Sequence, residues 1–178
     1  MDSKMKLALM KLIKDDNRVD QNMIIDSLIE NVIEKFVIQV RNNYASQYNI
    51  DHGCFQNYRG LSYNMTLDLY KLITEYIARN DLRNILEFDI DIIEGYNKIY
   101  RNGYNKSVVF KHFWLEVNIF HKSIYVDASS QELRHIHKDI PDYYIDKKKP
   151  KWYFKIYKDK FIDNFIMYIW RPILNGFK

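Results

Sequence analysis

SVVFKHFWLEVNIFHKSIYVD, residues 107–127, reads as two β-strands folded back on each other. Val108, Val109, Phe110, Phe113, Trp114 and Val117 are the β-branched and aromatic types that suit strands, as are Ile124, Tyr125 and Val126. Strands are placed over 107–117 and 123–127, with a tight turn near Asn118 to His121. In that register Trp114 opposes Tyr125 and His112 opposes Asp127, which sets Cβ atoms about 4.5–5.5 Å apart. A carboxylate that holds one ring nitrogen fixes the tautomer, and the other nitrogen can then take a proton from a nucleophile. Each residue alone has a plainer reading. A strand histidine beside Trp114 is more often structural, and Asp127 suits a turn or cap before Ala128.

Upstream lies Gly60-Leu61-Ser62-Tyr63, followed by Met65, Leu69, Leu72, Ile73 and Tyr76 as one stripe. That spacing predicts a helix over 63–79, ended by Arg79-Asn80-Asp81. Ser62 stands at its start, at the positive end of the helix dipole and among backbone N–H groups that lack intrahelical acceptors. Those groups lower the pKa of a thiol placed there and can hold a tetrahedral oxyanion. The plainer reading of Ser62 is an N-cap. Cys54, the single cysteine, is a rival nucleophile, but no apolar helix starts on it, and an ordinary loop cysteine is preferred.

The remaining segments frame these motifs. A short helix is expected over 4–14 and a long amphipathic one over 20–44, where Ile24, Leu28, Val32, Phe36 and Val40 recur at four. Residues 45–60 read as a loop. Residues 82–100 are rich in Ile and Tyr, and period alone leaves helix and strand open. Gly103 to Lys106 is a turn, 131–137 one helical turn, 146–151 a charged connector, and 153–170 closes the fold. The chain is read as a single domain over 1–178: a helical part over 1–50, a catalytic-like core over 51–135 and a basic part over 136–178.

Composition narrows the class. With 178 residues, 47% hydrophobic and 28% charged, the chain can bury a core. One cysteine forbids an intrachain disulfide. The start lacks the uninterrupted apolar region of a secretory signal, and no stretch approaches a membrane span, so a cytoplasmic protein is expected. Net charge is +4, yet residues 134–178 hold 11 Lys or Arg against 5 Asp or Glu, so the basic excess lies in the C-terminal quarter. Lys147 to Lys155 interleaves charge with Trp152, Tyr153 and Phe154, which can serve single-stranded nucleic acid, although a solvated face explains it more simply. His135 and His137 lack a matched third ligand, and no metal or cofactor is expected.

Taken together, three segments resemble the transglutaminase-like branch of the papain-like cysteine hydrolases. Gly60-x-Ser62-Tyr63 with its apolar helix is similar to the nucleophile helix of that branch, which reads Gly-x-Cys. His112-x-Trp114-Leu115-Glu116-Val117 resembles its histidine strand, and Val126-Asp127-Ala128-Ser129-x-Gln131 its aspartate strand. The resemblance covers about residues 56–133. It implies an α+β fold, with N-terminal helices and a nucleophile-bearing central helix packed on a small antiparallel sheet. It implies a triad of Ser62, His112 and Asp127 acting on an amide bond of a peptide or protein substrate, with hydrolysis and transamidation both open. Gln56, six positions before Ser62, matches the oxyanion-hole glutamine of papain-like proteases.

Ser62 departs from the pattern, since a serine hydroxyl ionises far less readily than a thiol. The preferred reading is an inactive cysteine-to-serine form of a cysteine enzyme, ahead of a natural serine nucleophile or a naturally inactive site. The alternatives to an enzyme are a binding protein that kept the fold and lost the chemistry, and a nucleic-acid-binding module that uses the basic C-terminal part. Oligomeric state is left open.

Overall fold

The computed structural model describes residues 20–50, 60–100, 107–135 and 139–150. The expected helix at 4–14, Cys54, Gln56, the 103–106 turn and the segment 153–170 lie outside the described residues. The chain divides into two compact units: Met1–Ile93 with Phe113–Trp152, and Glu94–His112 with Tyr153–Lys178. In the larger unit, helices stand first and a small antiparallel sheet follows, an α+β arrangement as the sequence implied.

The first helical stretch is longer than its pattern suggested and is not uniform. Helix α1 (Gln21–Leu28) starts on Asp20, whose carboxylate accepts from the Asn22 N–H at 2.9 Å. A π-helical turn, Ile29–Ile33, interrupts it, and α2 (Glu34–Tyr48) carries on. Helix α3 (Ser62–Arg79) follows. Helices α2 and α3 end by one device. Asn49 and Asp81 take left-handed conformations at φ 50° and 52°. The next residues then bond back five positions, Ile50 N–H to the Ala45 carbonyl at 2.8 Å and Leu82 N–H to Ile77 at 3.1 Å. Ile50 and Leu82 are buried, so each helix stop is also a core contact.

Residues 82–100, open between helix and strand by period, begin as turns and become strand β1 (Asp89–Tyr100). Strands β2 (Ser107–Ile119), β3 (Lys122–Asp127) and the short β4 (Tyr144–Asp146) complete a sheet of order β1-β2-β3-β4. Leu115, Val117 and Ile119 of β2 and Ile124 and Val126 of β3 share one core with Met65, Leu69, Ile73 and Ile77 of α3 and with Ile25, Leu28, Val37 and Val40. The alternation along β2 sets this face, and the stripe at i, i+4, i+8 on α3 meets it.

The hairpin register differs from the expected one by two residues. The observed pairs run from Leu115 with Val126 to Ile119 with Lys122. Continued one step, the ladder sets Trp114, not His112, at the level of Asp127. The cause is the turn. Phe120 and His121 form a two-residue loop with φ of 51° and 58°, the twist that matches antiparallel strands. Asn-Gly usually marks such a turn, and neither residue here is of that kind. The Phe120 N–H donates to the Leu86 carbonyl at 2.9 Å, which fixes the loop against the turn before β1.

Two outcomes follow for stability. Exposed His121 pays for its left-handed backbone, and its Glu87 partner is exposed too and contributes little. The variant His121→Gly should therefore raise the urea midpoint, by about 0.5–1 kcal/mol of stability. Tyrosines give the second. The Tyr44 hydroxyl donates to Asp68 at 2.9 Å, and burial with that carboxylate raises its pKa. The Tyr143 hydroxyl donates to Glu34 at 2.7 Å, and that bond, then burial, raises its pKa. Burial and then Asp146 push Tyr144 up to about 12. A raised folded pKa means stability that is whole below the unfolded value of about 10 and is lost as pH climbs through the folded values. Alkaline denaturation should set in above about pH 10. In Tyr44→Phe the decline should be shallower, read by thermal melts across that range beside tyrosinate absorbance.

Candidate active site

Ser62 is the first helical residue of α3, one place inside the N-cap, which is Leu61. Leu61 offers no capping side chain, and the helical ladder begins only with the Met65 N–H on the Leu61 carbonyl at 3.0 Å. The first-turn N–H groups of Ser62, Tyr63 and Asn64 thus stand outside that ladder. Ser62 is not the N-cap residue that its plainer reading made it. It is buried, at 3% exposure. Gly60, two residues earlier, has φ +81°, and a Cβ built there meets nothing within 4 Å. Glycine is used at this place for its backbone freedom and not for lack of room.

Two sets of contacts hold the start of α3. On one side it meets β2 at Phe113. The Thr66 hydroxyl donates to the Phe113 carbonyl at 3.0 Å, and the Tyr63 ring lies edge-on to the Phe113 ring with centroids 5.0 Å apart. On the other side it meets the segment after β3, because the Gly60 N–H donates to the Glu132 carboxylate. The three motif segments of the sequence are therefore tied to one another within the larger unit, at residues 60–66, 113 and 132.

Asp127 ends β3 and is fully buried. Its Oδ1 accepts from the Ser129 N–H at 2.9 Å and from the Ser129 hydroxyl at 3.3 Å, so the carboxylate shapes the turn that follows. By the strand's alternation it points to the face that Trp114 takes, opposite to Leu115 and Val126. His112 closes the β2 part of the smaller unit and is buried as well, at 3% exposure. In that unit the Lys111 ammonium pairs with the Glu94 carboxylate.

The turn after Asp127 is heavily tied. A 3-10 helix, Ser130–His135, lies where one helical turn was expected at 131–137. The Ser130 hydroxyl donates to Pro141 O at 2.8 Å, and the Arg134 Nε donates to Ile140 O at 2.6 Å. Buried Arg41 of α2 reaches in: Nη1 donates to Ala128 O and Asp142 O, both at 2.7 Å, and Nη2 to Gln131 Oε1 at 3.0 Å. Ser129, Ser130, Gln131 and Glu132 are all buried.

Sequence reasoning missed Arg41 and Glu132. Arg41 carries a signal in hindsight, since it stands one place after Val40 on the apolar side of its helix. Glu132 carries none, because Gln131-Glu132-Leu133 looks like any exposed helical turn.

A separate cavity of about 490 Å³ is lined by Ile29, Glu34, Pro141, Asp142, Tyr143, Tyr144 and Ile145 and includes none of the expected site residues. Among the described residues no group of three or more His, Cys, Asp or Glu could hold a metal, and no helix is long and apolar enough to cross a membrane. No family model matches the sequence, and no curated protein or solved structure matches it.

The Arg41 fork can be tested directly. Lysine keeps the charge and loses the geometry that serves three acceptors from two nitrogens. Arg41→Lys should lose about 3 kcal/mol, since it strands buried carbonyls and a buried cation together. The check is the urea midpoint at unchanged slope.

Proposed function

We propose that the chain has the transglutaminase-like, papain-like design and is built for acyl transfer at an amide bond, with serine standing at the nucleophile position. The observation that carries this reading is the tying of the α3 start to Phe113, sequence neighbour of His112, and to Glu132, on the turn that Asp127 shapes.

The reaction runs as follows in a form with cysteine at position 62. The thiol passes its proton to His112, and the thiolate attacks the amide carbonyl. Backbone N–H groups at the helix start, with Gln56, hold the oxyanion. The imidazolium of His112 then protonates the leaving amine as the C–N bond breaks, and an acyl-enzyme remains. Water or a second amine takes the acyl group, with His112 again as base. Asp127 orients the imidazole. With serine the first proton transfer is much harder, so activity of the chain as given is weak or nil.

A second reading is a member of the same fold that binds and does no chemistry. Two observations favour it. Serine replaces the nucleophile, and one oxygen of Asp127 is engaged by Ser129 on the sheet face opposite to Leu115. Nucleic-acid binding through the basic C-terminal part is a third reading and concerns mostly residues outside those described.

Thiol labelling separates the first two. In Ser62→Cys the introduced thiol should react with iodoacetamide faster than Cys54 and titrate well below the ordinary value of about 8.5. Adding His112→Ala should slow that reaction at neutral pH without changing Cys54, and Asp127→Asn should slow it less. Peptide mass spectrometry assigns the label. Equal labelling at the two thiols, indifferent to His112→Ala, leaves the binding reading in place.

A further inference from the structure

Glu132 is a buried carboxylate, 2% exposed, on a 3-10 helix that belongs to the aspartate segment. It accepts the N–H of Gly60, whose φ of +81° turns the chain into α3 two residues before Ser62. The 3-10 helix itself cannot drift. Ser130 holds Pro141, Gln131 is gripped by Arg41, and Arg134 holds both Ile140 and Asp142, the latter at 2.6 Å. A rigid element thus offers one acceptor to the residue that aims the helix start. Thr66 and Tyr63 fix the same start from the β2 side.

We infer that Glu132 is a positioning residue for the nucleophile position: through Gly60 it sets where the side chain at 62 and the first-turn N–H groups stand. This rests on the acyl-transfer reading above and adds a residue to it. A carboxylate is a costly choice for such a task. Its negative charge close to a helix start opposes an anion forming at residue 62, whatever its benefit as an acceptor. The two effects of Glu132 therefore have opposite signs, and substitutions can separate them.

The experiment uses the full chain carrying Ser62→Cys, with iodoacetamide as the probe and the pH profile of labelling as the readout. Glu132→Gln keeps an acceptor for Gly60 and removes the charge. Its thiol should label as fast as in the Ser62→Cys chain or faster. Glu132→Ala removes both, and its thiol should label about tenfold more slowly at neutral pH, the change that a rise of one pKa unit gives. Gly60→Ala strains the same turn from the other side without crowding any neighbour, and should slow labelling in the same way. It also stands in if Glu132→Ala fails to fold, which thermal melts reveal.

A purely electrostatic Glu132 would make the Ala and Gln variants alike, both faster, and that overturns the inference. A merely structural Glu132 would lower the melting temperature in Glu132→Ala and leave the pH profile untouched, and that overturns it too. If the thiol of Ser62→Cys is no faster than Cys54 before any change at Glu132, the acyl-transfer reading has failed and takes this inference with it.

Discussion

The buried guanidinium of Arg41 is the interaction on which the arrangement of the larger unit turns. It projects from α2 into the segment between β3 and β4, where it serves Ala128 O, Asp142 O and Gln131 Oε1 together and lies 5.9 Å from the centre of the Tyr143 ring. Taking such a group out of water costs several kcal/mol, and only near-complete hydrogen bonding offsets that cost. The segment therefore has one low-energy path around the cation. That path delivers Glu132 to Gly60 and leaves Asp127 at the root of the turn. Helix, turn and sheet are joined by a single side chain whose demands are geometric.

Where a pattern reflects burial on one face, the sequence was readable. Met65, Leu69 and Ile73 announced α3, and the structure has it one residue longer at the front. Val117, Ile124 and Val126 announced the hairpin, since β-branched side chains pack well on a pleated face. Its register was not readable. Phe120 and His121 adopt left-handed backbone without the Asn-Gly chemistry that usually signals it, and Phe120 is half-buried against the core. Strand β1 was ambiguous for a related reason: exposed and buried positions alternate over 89–91, but 92–94 are all half-buried, so the period fades along the strand.

The candidate site divides along the same line. Ser62 at the start of a helix and Asp127 at the end of a strand were legible, because each lies at an element boundary that local pattern marks. The contacts that decide what those residues do were not. Gly60 with Glu132 spans 72 residues and Arg41 with Gln131 spans 90, and no local signal reports a pairing at such separation. A buried carboxylate and a buried arginine look in sequence like the exposed residues that they usually are.

The π-helical turn at Ile29–Ile33 has a consequence for how this chain tolerates change in length. Such a turn closes bonds to the fifth residue instead of the fourth, so it stores one residue more than an α-helix would over the same rise. It acts as a phase shifter. Ile24, Ile25 and Leu28 before it and Val37, Val40 and Tyr44 after it all lie in the core, although they belong to two helical frames. Loss of a single residue between 29 and 33 would let the segment relax to uninterrupted α-helix and leave α2 on its core face, whereas the same loss within α2 would turn everything beyond it by about 100°. Only in the second case, with the loss falling between Glu34 and Val40, would Arg41 leave its three acceptors.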